Sequence, residues 1–454
     1  MRIADNSKIY ENESTVSKSL LLKVIDKPLS DLEKENIFVF PPTINDTNDL
    51  AREQKIMERK GSSLYTGNIM GCIGNQEEHL MIYSRFDQVN KKDYFFYYML
   101  KRVMNLNLID LEVSFKNKQG FLNLMFYLFP KYLNEAIRKG VYKEYQTFKY
   151  NDLNIAGTID VKRHLKMNVP FTGKVAYQTR EYSFENQVIY LIRYTIEQLK
   201  KGKETIKILN MDSNTRASVQ AIEGASKNYR KCDIKKVIYN NKQRKVCHGY
   251  FYEYRNLQKL CLAILEYETG VFMEKSDQQI FGVLFDGAWL FEEYVHLLIK
   301  DQFIHPENRS QLNGQRLFEE ENDQIYPDFI SKNLKETIVA DAKYKPATNI
   351  KHLDYLQLLA YMYRFDSKLG YYLYPESNNC KSRQELTVSQ GIFYQEIIAK
   401  QKRDLKIKLI KQGLMIPSSA QTFEEFEKSM SDSEKMFILS FSVGELPNIE
   451  NLDK

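Results

Sequence analysis

The 454-residue sequence has little cysteine, no long apolar run and no strong excess of charge. Its five cysteines are an odd number and form no C-x-x-C pair, which argues against a disulfide framework and a cysteine-based zinc site. The longest apolar run is about ten residues, at 120–129, whereas a membrane-spanning helix needs roughly 20. Residues 1–20 lack the apolar core of a secretory signal. We therefore expect a cytoplasmic protein with reduced thiols and no membrane partner.

The sequence also lacks the G-x-x-x-x-G-K-[ST] run with which P-loop proteins hold nucleotide phosphates. We therefore expect that this chain binds no nucleotide itself.

Positive charge is concentrated in two segments, although the net charge is only +6. Segment 227–245 has eight Lys or Arg against one Asp, and segment 400–411 has six against one. Such stretches suit a polyanion, because phosphates neutralised by Lys and Arg release counterions. A solvated helix face or loop is the alternative interpretation of these segments. The DNA-binding candidates in the first segment are Lys235, Lys236, Arg244 and Lys245.

The pattern of apolar residues predicts three regions and an α/β fold. Region 1–90 is β-rich and 91–275 mixes helices and strands, while 276–454 predicts a mixed sheet flanked by helices. The last boundary falls where the composition loosens near 270–282. Individual predictions include strands at 20–25, 155–161 and 436–443, a loop or helix edge at 227–245, and a basic helix at 395–412.

The sharpest feature is a pair of acids separated by twelve residues, Asp328 after Pro327 and Asp341 in the run Asp341-Ala342-Lys343. The preceding β-branched residues 337–340 suit a buried strand. Side chains alternate along a strand, so Asp341 and Lys343 should share one face while Ala342 points into the core. A turn near Asn333 would form a hairpin that brings the two acids together.

Two converging carboxylates form an oxygen-rich site that fits Mg²⁺. Such a cation polarises a phosphodiester and acidifies a bound water, while Lys343 could orient that water and stabilise developing charge. These features are those of a nuclease site, with Asp328, Asp341 and the Ala342 carbonyl as metal ligands.

The [D/E]-x-K spacing alone is uninformative, because the chain contains seven such triplets. Only Asp341 combines it with an apolar strand, an upstream Pro-Asp and a helix downstream. Asp160-Val161-Lys162 is the nearest rival. A surface salt bridge on a hairpin is the alternative interpretation of the 328–343 pattern.

A predicted helix at 354–365 carries a polar stripe of Asp354, Gln357, Tyr361 and Arg364 at helical spacing. Gln357 could brace Lys343, and Tyr361, Arg364 and Lys345 are candidates for phosphate contact. In the helix predicted at 289–300, Glu292 and Glu293 point about 100° apart, so only one can face the site.

At these residues the sequence resembles the PD-(D/E)XK nucleases, specifically the McrC-like subunits of GTP-dependent McrBC and LlaJI-type bacterial restriction systems. The similarity extends over roughly 120–375. It includes 139–145 (an "RGL…Y" element), 155–161 ("RG-x-[IL]-D"), 290–295 ("LFE-x-[FY]-V") and Gln357-x-x-x-Tyr361. The third element favours Glu292 as a supporting acid and further candidate metal ligand, and the second assigns Asp160 to a region outside catalysis.

The resemblance implies an Mg²⁺-dependent endodeoxyribonuclease subunit, with Mn²⁺ as a substitute, that acts on double-stranded DNA in phage defence. It also implies docking through the N-terminal region 1–90 onto a hexameric AAA+ GTPase that is McrB-like. Two other hypotheses stay open: a non-catalytic, GTPase-activating and DNA-bridging subunit with a relic nuclease fold, and a stand-alone nuclease.

Overall fold

Two compact units make up the chain in this computed structural model. One unit combines residues 1–113 with 280–454, and the other is 114–279. The structure describes residues 2–10, 18–32, 36–41, 54–75, 78–87, 93–104, 120–203, 205–269, 280–306, 314–320, 323–333, 336–377, 383–389 and 407–441.

The N-terminal part of the first unit is rich in short strands. Its elements are β1 (Arg2–Ala4), β2 (Lys8–Tyr10), α1 (Lys18–Val24), α2 (Leu29–Leu32), β3 (Asn36–Phe40), β4 (Met57–Lys60), β5 (Ser63–Thr66), β6 (Ile69–Gly74), β7 (His79–Tyr83) and α3 (Tyr94–Met104).

The second unit is largely helical, with one three-stranded antiparallel sheet in the order β8-β10-β9. Its elements are α4 (Gly120–Ile137), β8 (Glu144–Asp152), β9 (Thr158–Ile159), α5 (Val161–Met167), β10 (Val175–Ser183), α6 (Gln187–Lys201), α7 (Thr205–Leu209), α8 (Ser213–Ala225), α9 (Ile234–Gln243) and α10 (Glu253–Thr269).

The chain then returns to the first unit. The elements of this return are β11 (Phe281–Asp286), α11 (Gly287–Ile299), β12 (Phe303–Ile304), β13 (Gln315–Arg316), β14 (Gln324–Ile325), β15 (Phe329–Ser331), β16 (Ile338–Ala342), α12 (His352–Arg364), β17 (Leu369–Glu376), β18 (Arg383–Thr387), β19 (Lys408–Met415) and α13 (Phe423–Leu439).

A five-stranded sheet in the order β1-β7-β6-β11-β3 combines four N-terminal strands with β11, which follows the second unit in the sequence. The returning strand β11 runs parallel to β3 and antiparallel to β6. Both faces of β11 are covered, since its residues 281–285 are fully buried. Strand β11, the first strand after the second unit, therefore lies inside the sheet and connects β6 to β3.

A six-stranded mixed sheet carries the downstream half, in the order β12-β15-β16-β17-β19-β18. Strands β16, β17 and β19 are parallel, and the others pair antiparallel with their neighbours. Helix α12 packs on β16 and β17 through the fully buried Leu358 and the nearly buried Met362. The predicted α/β class, with a mixed sheet and flanking helices, is confirmed.

Several local predictions were wrong. Residues 20–25 lie mostly in α1, because Leu20, Leu21 and Val24 are buried at helical spacing while Leu22 is 66% exposed. Region 436–443 continues α13 to Leu439, and only two residues of 155–161 form a strand. In 227–245, predicted as a loop or helix edge, residues 234–243 form the helix α9 and the others lie outside an α-helix. Residues 408–412 of the predicted basic helix lie in β19, while 395–406 lie outside the described residues.

The three-region division at 90 and 275 stays a prediction. Among the described residues, no helix is both long and apolar enough to cross a bilayer.

Candidate nuclease site

The two acids of the sequence pattern meet on a hairpin, as predicted. Strand β15 pairs antiparallel with β16, with Phe329 opposite Ala340. The Asp328 carboxylate accepts a hydrogen bond from the Ala342 backbone N–H at 2.8 Å. Ala342 is half-buried at the end of β16, and the predicted direction of its side chain stays a prediction. Strand pairing thus fixes Asp328 beside the end of β16.

Lys343 lies against Asp341, with 2.7 Å between its Nζ and the Asp341 Oδ2. Asp341 is 2% exposed, and Lys343 keeps 19% of its side chain exposed. The backbone N–H of Lys343 donates to the Leu373 carbonyl at 2.8 Å, which extends the pairing of β16 with β17 by one residue. The ammonium is therefore held at the sheet end and reaches solvent.

The charges of this cluster shift one another's pKa. Burial, and then the charge of Glu292, raises the pKa of Asp328 to about 7. Burial and the neighbouring Asp328 raise the pKa of Asp341 to about 7 as well. Burial would lower the pKa of Lys343, but Asp341 and Asp328 outweigh it and raise that pKa, so Lys343 is charged at neutral pH.

Helix α12 supplies a second layer around Lys343. The Lys343 ammonium donates to the Gln357 amide oxygen at 3.2 Å, and the Gln357 amide nitrogen donates to the Tyr361 hydroxyl at 2.8 Å. Tyr361 is 5% exposed and belongs to the core under the helix. Its observed contact therefore supports Gln357, and a contact of Tyr361 with DNA stays a prediction.

Two further DNA-binding candidates near the site already have protein partners. The Lys345 ammonium donates to both carboxylate oxygens of Asp354, each at 2.8 Å. The Arg364 Nε donates to the Arg316 carbonyl at 2.5 Å, and Arg364 is exposed. Their predicted phosphate contacts stay predictions.

The basic candidates of the second unit are all exposed. Lys235 and Lys236 lie on α9, which Asp233 caps by accepting the Lys235 backbone N–H, while Arg244 and Lys245 follow the helix. Asp160, the rival acid of the sequence pattern, accepts the Arg163 backbone N–H and caps α5. This structural role explains its presence without catalysis.

Glu292 reaches the site from α11, and its charge contributes to the raised pKa of Asp328. Its carboxylate lies 3.6 Å from the Nε2 of His305. The adjacent Glu293 accepts a hydrogen bond from the Trp289 indole at 3.2 Å. The two neighbouring acids share His305, whose Nε2 also lies 3.9 Å from Glu293, and Glu292 is the one whose charge raises the pKa of Asp328.

His305 is the residue that sequence reasoning missed. Its Nδ1 lies 2.8 Å from the Asp328 carbonyl oxygen, and its side chain is 3% exposed. Burial would lower its pKa, but Glu293, the Asp328 carbonyl and Glu292 outweigh burial and raise the pKa to about 9. The resulting cation joins β15 to α11. A single histidine without a motif gives no signal of this position.

The donor set is suited to a hard divalent cation. Among the described residues no cluster of three or more His, Cys, Asp or Glu side chains forms a ready-made metal site. Asp328 and Asp341 nevertheless bring two buried carboxylates together. The charge of Glu292 adds to burial in raising the pKa of Asp328, and the charge of Asp328 does the same for Asp341. Mg²⁺ commonly uses one or two carboxylates and completes its shell with water, so these residues fit it.

The sequence matches a family model described as McrBC 5-methylcytosine restriction system component over residues 64–375. The chain belongs to this family. No curated protein shows significant similarity to it.

Two solved structures of the McrBC type resemble the chain. One is a refined half-complex from a tetradecameric assembly of Thermococcus gammatolerans McrB AAA+ hexamers with bound McrC. It matches with a TM-score of 0.50 and 14% identity, covering 95% of this chain and 99% of that chain. The other is a cryo-EM structure of the Thermococcus gammatolerans McrBC complex, with a TM-score of 0.33, 14% identity and coverage of 66% and 87%. The first likeness shows a shared fold, consistent with the McrBC family match.

Proposed function

We propose that the chain is the DNA-cleaving subunit of a McrBC-like restriction complex with a PD-(D/E)XK nuclease site. The observation that carries this proposal is the meeting of Asp328, Asp341 and Lys343 at the ends of two paired strands. The reaction is hydrolysis of phosphodiester bonds in double-stranded DNA. Membership of the McrBC family supports a role in restriction.

Asp328 and Asp341 would hold a divalent cation, Mg²⁺ or in its place Mn²⁺, with the Ala342 carbonyl and Glu292 as further candidate ligands. A bound cation of this kind supplies polarisation of the scissile phosphate and a more acidic water. Lys343 is charged, so it acts as a donor to the attacking water or the phosphate oxygens and not as a base. Gln357 holds that ammonium in the site through its amide oxygen.

The proposed partner is a hexameric, McrB-like AAA+ GTPase. The solved structure with the similar fold is described as McrB AAA+ hexamers with bound McrC. The absence of a P-loop run from this sequence agrees with a GTPase on a separate chain. In this arrangement the GTPase activates cleavage, and the present chain stimulates GTP hydrolysis.

A plasmid-cleavage assay with Mg²⁺ tests the proposal, using the chain alone and with its genomic-neighbour GTPase plus GTP. Cutting should require the full mixture and should be lost in Asp341→Ala and Lys343→Ala. The matched controls are Asp366→Asn and Lys368→Ala, which alter an exposed D-x-K triplet outside the site. They should cut like the wild type.

The other hypotheses correspond to other results of the same assay. Stimulated GTP hydrolysis without any cutting would favour a non-catalytic regulator with a relic nuclease fold. Cutting by the chain without partner or GTP would make it a stand-alone nuclease. Retained cutting by Asp341→Ala would place catalysis elsewhere.

A further inference from the structure

Tyr344, the residue that follows Lys343, is buried against the N-terminal part of the chain. It is 5% exposed, and its hydroxyl lies 2.7 Å from the Ser84 hydroxyl. Its ring packs edge-on against Phe86 with centroids 5.2 Å apart. The side chain beside the proposed catalytic lysine is therefore held by residues about 260 positions earlier in the sequence.

Arg85 makes the most specific of these contacts. Its guanidinium donates to the Tyr344 carbonyl at 2.7 Å and lies over the Tyr344 ring at 4.7 Å from the centroid. The same group donates to the Asn68 amide oxygen at 2.5 Å. One arginine thus fixes both the backbone and the ring of the residue after Lys343.

Arg85 is itself held in place. Its backbone N–H donates to the Asp5 carboxylate at 2.6 Å, and its guanidinium lies 3.3 Å from the other Asp5 oxygen. The Asp5 side chain is fully buried and that of Arg85 is 10% exposed. The Nη2 of this buried guanidinium makes all three contacts, with the Tyr344 carbonyl, the Asn68 amide oxygen and Asp5, which gives it a defined geometry, whereas a surface arginine samples many rotamers.

The same N-terminal residues also reach α11, the helix that carries Glu292. The Asn68 carbonyl accepts the backbone N–H of Gly287, the first residue of that helix, at 2.9 Å. A Cβ at Gly287 would lie 2.8 Å from the Tyr344 ring, so glycine is what permits this approach. The N-terminal residues Asn68 and Arg85 therefore contact both the segment that follows Lys343 and the start of the helix that carries Glu292.

We propose that Arg85 is a positioning residue of the nuclease site, acting through Tyr344 to place Lys343. The expected effect of Arg85 on cleavage rests on the proposed function. Its structural consequence, a fixed backbone at 343–345, can be measured without catalysis. In this view the region 1–90 completes the catalytic centre and does not serve only as a docking region.

The experiment compares wild type, Arg85→Ala and Arg85→Lys, each assembled with the partner GTPase, with Arg216→Ala as control, an exposed arginine outside region 1–90. We expect kcat for plasmid cleavage to fall about 10- to 100-fold in Arg85→Ala. The KM for DNA should stay within about twofold, because Arg85 does not contact substrate in this proposal. Arg85→Lys should recover part of kcat, since an ammonium can still donate to the Tyr344 carbonyl.

Hydrogen exchange provides the readout that does not depend on cutting. The backbone N–H groups of Lys343 and Lys345 should exchange faster in Arg85→Ala, while those of α13 keep their wild-type rates. If wild type does not cut DNA, the proposed function fails. The hydrogen-exchange rates at 343–345 then test by themselves whether Arg85 fixes this backbone. Unchanged exchange at 343–345 overturns the inference, as does a kcat within about twofold of wild type in an active complex. If Arg85→Ala does not fold, Arg85→Lys is judged by the same two measurements.

Discussion

The Lys343 ammonium donates to the amide oxygen of Gln357 at 3.2 Å, across the gap between a strand end and helix α12. Gln357 in turn donates to the buried Tyr361 hydroxyl. The lysine is thus positioned by its Asp341 ion pair and by a relay that ends in the core.

This relay predicts a graded response to substitution. Gln357→Ala removes the acceptor and should lower kcat about three- to tenfold, or roughly 0.7–1.4 kcal/mol, which is less than the roughly 1.5–3 kcal/mol of a buried hydrogen bond to a charged group because this one is partly exposed. Tyr361→Phe removes only the support of Gln357 and should cost less. Single-turnover cleavage by the assembled complex measures both. A larger loss in Tyr361→Phe than in Gln357→Ala would contradict the relay.

The raised pKa values of the two acids predict the pH dependence of metal use. Because Asp328 and Asp341 each have a pKa of about 7, protons compete with the cation below neutral pH. The Mg²⁺ concentration for half-maximal cleavage should therefore rise as pH falls through about 7 and level off above it. The measurement is a Mg²⁺ titration of cleavage at pH 6, 7 and 8. A half-maximal concentration independent of pH would count against these acids as the ligands.

The buried Asp87, which follows Arg85 and Phe86 in the N-terminal part, predicts how stability changes with pH. Burial, and then the charge of Asp93, raises the pKa of Asp87 to about 8, while Asp87 accepts the backbone N–H groups of Phe95 and Phe96. The folded state therefore binds this proton more tightly than the unfolded state. The free energy of unfolding should fall as pH rises from the unfolded pKa of about 4 through 8.

Asp87→Asn keeps an acceptor and removes the ionisation. At pH 9 it should be more stable than wild type by at least about 1.4 kcal/mol, the equivalent of one pKa unit, and the difference should shrink at pH 5. Denaturant unfolding at the two pH values measures this. The exposed Asp432→Asn serves as control and should show no such trend. Equal differences at both pH values would show that Asp87 does not ionise as described.

The basic segment predicts the salt dependence of DNA binding. Replacing the exposed Lys235, Lys236, Arg244 and Lys245 with Gln should flatten the slope of log K against log salt if these residues neutralise phosphates. Loss of four contacts would reduce the slope by about 3.6. Replacing the exposed Lys428 and Lys435, which lie outside the basic segment, with Gln should leave the slope unchanged. An unaltered slope in the fourfold variant would exclude DNA as the partner of this segment.

Sequence reasoning predicted those site residues that lie close to one another in the sequence. Asp328, Asp341 and Lys343 lie within one hairpin, so strand alternation and turn spacing were enough. Glu292 came from resemblance, and its electrostatic effect on Asp328 is seen in the structure. His305 and Arg85 have no motif, because their positions depend on long-range packing.

The errors in secondary structure have a related cause. Leu20–Ile25 is a short apolar run whose helical or extended state periodicity cannot settle. In α13, the buried Met430, Glu434 and Phe437 follow helical spacing, yet the aromatic and β-branched residues at its end favoured a strand. Pairing of β11 with β3 and β6 joins segments hundreds of residues apart, and no local pattern indicates it.

The placement of β11 limits which fragments of the chain can fold. A fragment that starts at 276 would carry Phe281–Asp286 without either neighbouring strand, leaving two apolar sheet edges open to aggregation. We therefore expect the segments 1–113 and 280–454 to fold only when they are expressed together. Residues 114–279 form a separate compact unit between these two segments of the sequence, so replacement of that unit as a block should leave both segments of the sheet in place.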